Sequence, residues 1–470
     1  MRRTTIITLS ALALAGCAAG PDYEAPTFGD DAEWRQSVDA EAGGDAGWWV
    51  DYDDPALAAL VAQALEQNRE LEAALARVEA AVAGRRAAFG ARLPAVIADA
   101  RYTNFEQSLV TPRVAEQLIR SGIIPRDGEF YNATLEASWE LDLAGGIRRS
   151  VERADAQAQA AVAAAEAVAL QVAAETATAY TDWQTFSHRV IAAERNVALQ
   201  AESLSIIEGK VRLGLSRRLD AVRAGSALAE LQSRVPPLVA AREAALERLA
   251  VLVGSESSAL DLTLRAPDPA GPGTIAAGLK SDVLRRRPDV RAAERTLAAA
   301  VADQGVAAAA FFPSLTLSAA GGFEAGATSD LLSGDARSIN MVPFLRWPVF
   351  QGGRLRAAKA NADARQREAL ANYEQAVLRA FADSESAIAG YSAANQAVLA
   401  VREAQKLAAE AESLAARLYR EGLVDYLALL DAQRQLATVD DALAAAEGEV
   451  LLAATRLYKA LGGDWESAGS

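Results

Sequence analysis

The chain repeats its own landmarks after roughly two hundred positions, and this restricts its fold more than any other feature. Leu93-Pro94 recurs as Phe312-Pro313 at an offset of 219, and Gly145-Gly146 recurs as Gly352-Gly353 at an offset of 207. Gly214-Leu215 recurs as Gly422-Leu423 at an offset of 208, and the same offset carries through Leu249/Leu457 and Gly254/Gly462. The one large change in offset, from 219 to 207, lies between Pro94 and Gly145, so the first copy carries twelve extra residues there. A period this long excludes a short-unit solenoid. It predicts two similar halves, residues 55–254 and 280–462, joined by a Ser/Gly/Pro-rich linker at 255–279 and followed by a tail at 463–470.

Each half is dominated by long helices. From Ile147 to Glu208 there is neither Gly nor Pro. Those 62 residues would span about 93 Å as one helix at 1.5 Å per residue. A rod that long must pack against other long rods. The spacing predicts a helix from Asp54-Pro55, an N-cap and N1 pair, to about Leu93, where Pro94 stops it. A long helix follows from Gly146 to about Arg212, then a turn at Leu213-Gly214-Leu215-Ser216 and a returning helix from about Arg218 to Val253. Pro236-Pro237 is expected to break or kink that returning helix. The second half repeats the plan: a helix over Ser281–Phe311, a long helix over Arg354–Arg420, a turn at Glu421-Gly422, and a helix to Leu461. The two shorter helices of a half, laid end to end, match its long one. That makes four rod widths per chain.

Between the helices lie two hairpins, 95–143 and 314–349. From Tyr131 to Leu143 the alternation is close to strict: Tyr131, Ala133, Leu135, Ala137, Trp139, Leu141 and Leu143 against Asn132, Thr134, Glu136, Ser138, Glu140 and Asp142. Its partner, Val96–Phe105, alternates less clearly, because Asp99 and Arg101 share a face with Ile97 and Phe105. In the second copy Ser314–Phe323 and Ser338–Val349 are the strands. Ile339, Met341, Leu345, Trp347 and Val349 share a face there, and Val342 and Phe344 break the pattern. An apolar face opposed by a polar one fits a transmembrane β-barrel strand, with Tyr131, Trp139, Phe344 and Trp347 as candidate membrane-interface aromatics. An amphipathic hairpin on a water-soluble core is the competing reading. A sheet that spans lipid must close, because open edges cannot be satisfied in hydrocarbon. Four strands cannot close, so copies must pool: two give eight strands and three give twelve. The polar inner face favours the wider, twelve-stranded barrel, since an eight-stranded one fills with side chains.

The first residues carry an address. Arg2 and Arg3 precede a short apolar run, Ile6–Ala15, too short for a helix that needs about 20 residues to span a membrane. The run ends in Leu14-Ala15-Gly16-Cys17, which resembles a bacterial lipoprotein signal, with residues 1–16 removed and Cys17 lipidated. Residue 18 is Ala, which by that resemblance favours sorting to the outer membrane. Residues 17–54, with Trp34, Trp48 and Trp49, read as an anchored tether packed by its aromatics.

Composition removes several function classes. Cys17 and His188 are the only cysteine and histidine, so no intrachain disulfide or thiolate metal cluster can form, and the sequence offers neither residue a partner for a nucleophile–His–acid set. No Gly-rich phosphate loop is present. Cleavage before Cys17 leaves 45 basic against 62 acidic residues, a net charge of −17, which opposes nucleic-acid binding. The expectation is a protein without enzyme activity, cofactor or metal.

Five stretches in order carry a resemblance over essentially the whole mature chain. They are Gly16-Cys17-Ala18-Ala19-Gly20-Pro21-Asp22-Tyr23, Trp139-Glu140-Leu141-Asp142-Leu143-Ala144-Gly145-Gly146, Leu284-Arg285-Arg286-Arg287-Pro288-Asp289-Val290, Phe311-Phe312-Pro313-Ser314-Leu315 and Pro348-Val349-Phe350-Gln351-Gly352-Gly353. The chain resembles the TolC-like outer membrane factor family, and within it the lipoprotein branch serving resistance–nodulation–division efflux pumps. The resemblance implies an α+β membrane protein: a homotrimer with a 12-stranded outer-membrane β-barrel, four strands per protomer, continued by a 12-helix periplasmic α-barrel. It implies an exit duct that docks a periplasmic adaptor and an inner-membrane pump. Leu213, Gly214, Leu215 and Ser216, with Glu421, Gly422, Leu423 and Val424, are then the adaptor-contacting turns. Arg420, Leu427 and Asp431, together with Asp220, are the periplasmic gate. Alternatives are a pore-less coiled-coil scaffold lipoprotein and the duct of a type I protein secretion system.

Overall fold

The computed structural model describes residues 18–26, 34, 47–108, 115–265, 275 and 280–463. The signal segment, Cys17 and residues 464–470 lie outside the described residues, as does most of the linker after Arg265. In chain order the elements are α1 (Pro55–Gln67), α2 (Arg69–Gly90), β1 (Ala95–Glu106), a short α3 (Ala115–Arg120), β2 (Asp127–Leu141), α4 (Gly146–Arg212) and α5 (Arg218–Leu252). After the linker come α6 (Lys280–Arg286), α7 (Pro288–Ala309), β3 (Ser314–Ala325), β4 (Arg337–Arg346), α8 (Arg354–Arg420) and α9 (Tyr426–Leu461). Most of the extra length of the first copy falls in the β1–β2 connection, 107–126, which holds α3 and is nine residues longer than the β3–β4 connection, 326–336. The β3–β4 connection holds one 3-10 turn, Gly334–Ala336.

The two long helices end where Gly and Pro punctuate the sequence; the shorter helices correct the reading. The expected single helix from 55 to 93 is two, interrupted at Asn68, and the expected 281–311 helix is two, interrupted at Arg287. Asn68 is extended at φ −67°, ψ 127°, and its Oδ1 accepts the Glu70 and Leu71 amides, so it caps α2. At Arg287 the following Pro288 disfavours helical backbone for the residue before it. The two breaks are counterparts, at the same offset as Pro94 and Pro313, and they make the same bond. Asn68 Nδ2 donates to the Leu252 carbonyl at 3.0 Å, and Arg287 Nη1 donates to the Ala460 carbonyl at 3.1 Å. Pro236 and Pro237 do not end α5, which is helical through both. The proline ring fixes φ at about −65°, which suits a helix. Gln232 and Ser233, whose carbonyls lose their helical partners, are exposed and can bond water.

By contact the chain divides into two compact units. One holds residues up to Ala25, Glu79–Ala160 and Glu294–Asn372; the other holds Pro26–Val78, Ala161–Ala293 and Tyr373 onward. The second unit carries the main core, where Leu57, Val61, Val172, Ala173, Leu249, Val283, Ala454 and Leu457 are buried together. Trp48 seals one side of it, stacked on Tyr458 at 5.3 Å between ring centroids. Burial raises the Tyr458 pKa, and the Asp51 carboxylate bonded to its hydroxyl at 2.6 Å adds to the rise.

The first unit carries one four-stranded antiparallel sheet in the order β1-β2-β3-β4. The β2–β3 ladder joins the hairpins of the two repeats, pairing Tyr131 with Ala325 and Leu141 with Leu315. Because directly paired residues share a face, the register assigns both faces. Val96, Ala98, Ala100, Leu135, Ala137, Trp139, Leu317, Ala319, Ile339, Met341 and Leu345 are on one. Asp99, Arg101, Asn132, Thr134, Glu136, Ser138, Thr316, Glu324, Ser338 and Asn340 are on the other. This register explains the weak alternation of β1: Ile97 and Phe105 belong to the polar face. The same register puts Phe344 on that face, beside Arg346, whose guanidinium lies 5.2 Å from the ring centroid. Phe344 therefore leaves the set of interface aromatics, and the strands end at Leu141 and Arg346 rather than at 143 and 349.

Candidate functional site: an open-edged sheet and two helix turns

Both faces of the sheet are exposed within one chain. Val96, Ile97, Leu135, Ile339, Met341 and Leu345 are each more than half exposed, and β1 and β4 have no further strand partner among the described residues. A bare apolar face with unpaired edges is unstable in water. Lipid on that face and another copy at each edge would satisfy both.

Two tryptophans fix the base of the sheet. Trp139 Nε1 donates to the Arg92 carbonyl at 2.9 Å, and Trp347 Nε1 donates to the Phe311 carbonyl at 3.1 Å. Arg92 and Phe311 immediately precede the matched pairs Leu93-Pro94 and Phe312-Pro313, so the staple is duplicated. Both indoles stay partly exposed while their N–H groups are satisfied, as suits a membrane–water boundary. Tyr131 lies farther along β2 on the apolar face, paired with Tyr102, and its hydroxyl donates to Glu129 at 2.7 Å.

The turns are built alike. Helix α4 ends with the Leu215 amide on the Lys210 carbonyl and the Gly214 amide on that of Val211; α8 ends with Leu423 on Leu418 and Gly422 on Tyr419. These are Schellman caps, and Gly214 and Gly422 sit at φ +74° and +76°, as the cap requires. The caps thrust leucines outward: Leu213, Leu215 and Leu423 are 75%, 73% and 68% exposed. The following helices start differently. Asp425 caps α9 through the Ala428 amide at 3.1 Å, whereas Arg217 gives α5 no side-chain cap. Ser216 bonds Asp220 at 3.2 Å instead.

Behind the turns Ile207, Ala224, Ala227, Tyr419, Tyr426, Leu429 and Leu430 form a separate core. Lys210 Nζ stands 4.0 Å from the Tyr419 ring centroid and donates to the Tyr419 carbonyl at 3.2 Å. Gln200 donates to the Tyr426 hydroxyl at 3.1 Å. Sequence patterning did not single out Lys210, Gln200 or the two tyrosines, because a buried polar contact between helices leaves no periodic mark. Leu427 and Asp431 share one exposed face of α9, one helical turn apart, and Arg420 donates to the Ala416 carbonyl at 3.2 Å. Within one protomer Arg420 and Asp431 do not pair. Glu421 and Arg212 are exposed and Val424 half-buried.

A sheet apolar on one face and open at both edges, carried by a chain of paired long helices, defines a subunit of an outer-membrane channel. The chain belongs to the outer membrane efflux protein family, whose model matches residues 60–255 and 279–463, one segment on each sequence repeat. It is 31% identical to the toluene efflux pump outer membrane protein TtgF of Pseudomonas putida, over 98% of this chain and 96% of that one. Among solved structures it is similar to the outer-membrane channel OprN, at 36% identity and TM-score 0.87 over 95% of this chain and 99% of that one. It is also similar to the open state of the Neisseria gonorrhoeae MtrE channel, at 28% identity and TM-score 0.83 over 95% and 98%.

Proposed function

We propose that this protein is the exit duct of a tripartite efflux pump, a homotrimer anchored in the outer membrane through Cys17. The observation that carries the reading is the sheet: four strands, apolar on one face, with an unpaired edge at either end. Three copies supply twelve strands, enough for an aqueous lumen lined by the polar face. The duct does no chemistry; energy comes from an inner-membrane pump reached through a periplasmic adaptor. The exposed leucines of the two turns are the docking surface for that adaptor. The difference between Arg217 and Asp425 makes the two turns inequivalent to it.

At the tip, three copies of Leu427 form an apolar ring that dewets a narrow pore, and rings of Asp431, Asp220 and Arg420 set its ion preference. Charge pairs between neighbouring Arg420 and Asp431 contribute about 0–1 kcal/mol each, weak enough for an adaptor to undo. TtgF is named for toluene, and small apolar or amphipathic compounds are the class we assign to this duct. The test is reconstitution of the purified protein in a planar bilayer. Discrete conductance steps are expected, and they should enlarge in Leu427→Ala. A bilayer that stays silent with correctly folded protein removes the duct reading.

A further inference from the structure

Arg149, in the first turn of α4, is buried more deeply than a channel wall requires: its side chain is 5% exposed. Its guanidinium donates to the carbonyl oxygens of Ala19 at 3.2 Å and Gly20 at 3.4 Å, and to the carboxylates of Asp22 at 2.7 Å and Glu152 at 2.8 Å. Three of these four acceptors belong to the N-terminal segment. The segment is held at other points too. The Ala19 amide donates to the Ala144 carbonyl at 2.9 Å, just after β2. The Tyr23 hydroxyl donates to Glu294, and the Tyr23 ring packs on Ala156, Ala298 and Ala299 beneath the Arg295 guanidinium.

The seat admits only small residues. A Cβ on Gly145 would stand 2.7 Å from Ala18, one on Gly305 would stand 2.7 Å from the Arg149 stem, and one on Gly20 would stand 2.6 Å from the Gly305 Cα. The internal repeat supplies a control. Arg356 occupies the place of Arg149 in the second copy, at the offset that relates Gly352 to Gly145, and is exposed. Gly352 itself has open space where a Cβ would go. Among the described residues only the first copy has a seat, and Ala18–Tyr23 fills it.

We propose that Ala18–Tyr23 is a built-in peptide ligand, with Arg149 as its receptor, and that its seating completes the β2-to-α4 junction before the sheet can assemble. Without the segment the guanidinium keeps only Glu152, a carboxylate that Arg148 also engages at 3.3 Å, so two cations are left on one anion, a state that opposes folding. The two elements are therefore coupled. Removing both should be less harmful than removing the ligand only.

The test compares four chains in outer-membrane fractions: wild type, a deletion joining Cys17 to Glu24, Arg149→Met, and the two combined. The readouts are the fraction running as an oligomer on unheated gels and the hydrogen exchange of the peptide holding Ala19. The deletion is expected to lower the assembled fraction at least tenfold, and the combined variant to recover to within about threefold of Arg149→Met alone. Ala19 should exchange at least tenfold faster in Arg149→Met. A deletion that assembles like the wild type, effects that simply multiply, or unchanged Ala19 exchange would each overturn the proposal. Only the assembly readout rests on the trimer reading. A wild-type chain that ran as a monomer would sink that reading, and Ala19 exchange would still decide the seat.

Discussion

At the scale of the residue, the repeat is preserved in close approaches as well as in sequence. Gly254, at φ +67°, leaves no room for a side chain, since a Cβ would meet the Gln67 carbonyl oxygen at 2.8 Å. Gly462, at φ +95°, would put a Cβ 3.0 Å from the Arg287 amide nitrogen, the equivalent place in the second repeat. Gly254→Ala is expected to destabilise by about 1–3 kcal/mol, read as a lower thermal midpoint. Gly84→Ala, mid-helix with open space around it, should be neutral or stabilise by up to about 1 kcal/mol. Gly254 and Gly462 were legible as helix ends. The helix breaks were not, although Pro288 marked one of them. Asn68 and Arg287 each interrupt a helix at a single residue, which barely disturbs composition or period. His188 is the titration test at this scale. Burial lowers its pKa, against the opposing pull of its bond to Arg265 and the charge of Glu447. The unfolded chain therefore binds a proton first as pH falls below 6.5, and folded stability drops over that window. Thermal midpoints should fall more steeply with acidification in wild type than in His188→Gln.

At the scale of the element, α4 and α8 were legible because Gly marks their ends and no Pro falls between, although Gly209 and Gly390 lie inside them. Pro236-Pro237 left two outcomes open, a break or a kink, and the break does not occur, since the helix continues through both prolines. Strand β1 was legible as a strand but its faces were not, since only pairing with β2 settles which alternate set is apolar. The unequal helix starts can be tested directly. Asp425→Ala removes the α9 cap and should cost about 1 kcal/mol, while Arg217→Asp should stabilise α5 by a similar amount. Amide exchange over the first turn of each helix reads both changes, faster in the first variant and slower in the second.

At the scale of the whole molecule, the sheet's polar face gives the duct its electrical character. Asp99, Glu136, Glu140 and Glu324 outnumber Arg101 and Arg346 on that face. A closed barrel lined this way should prefer cations, and Glu136→Lys with Glu140→Lys should shift the reversal potential in a salt gradient toward anions. The account depends most on the incompleteness of one chain's sheet. Four strands in the order β1-β2-β3-β4 leave two edges to be closed by other copies. The most direct measurement is the native mass of the protein extracted from the outer membrane in mild detergent. Three chains per particle is the predicted result; a single chain that still forms conducting pores would contradict it.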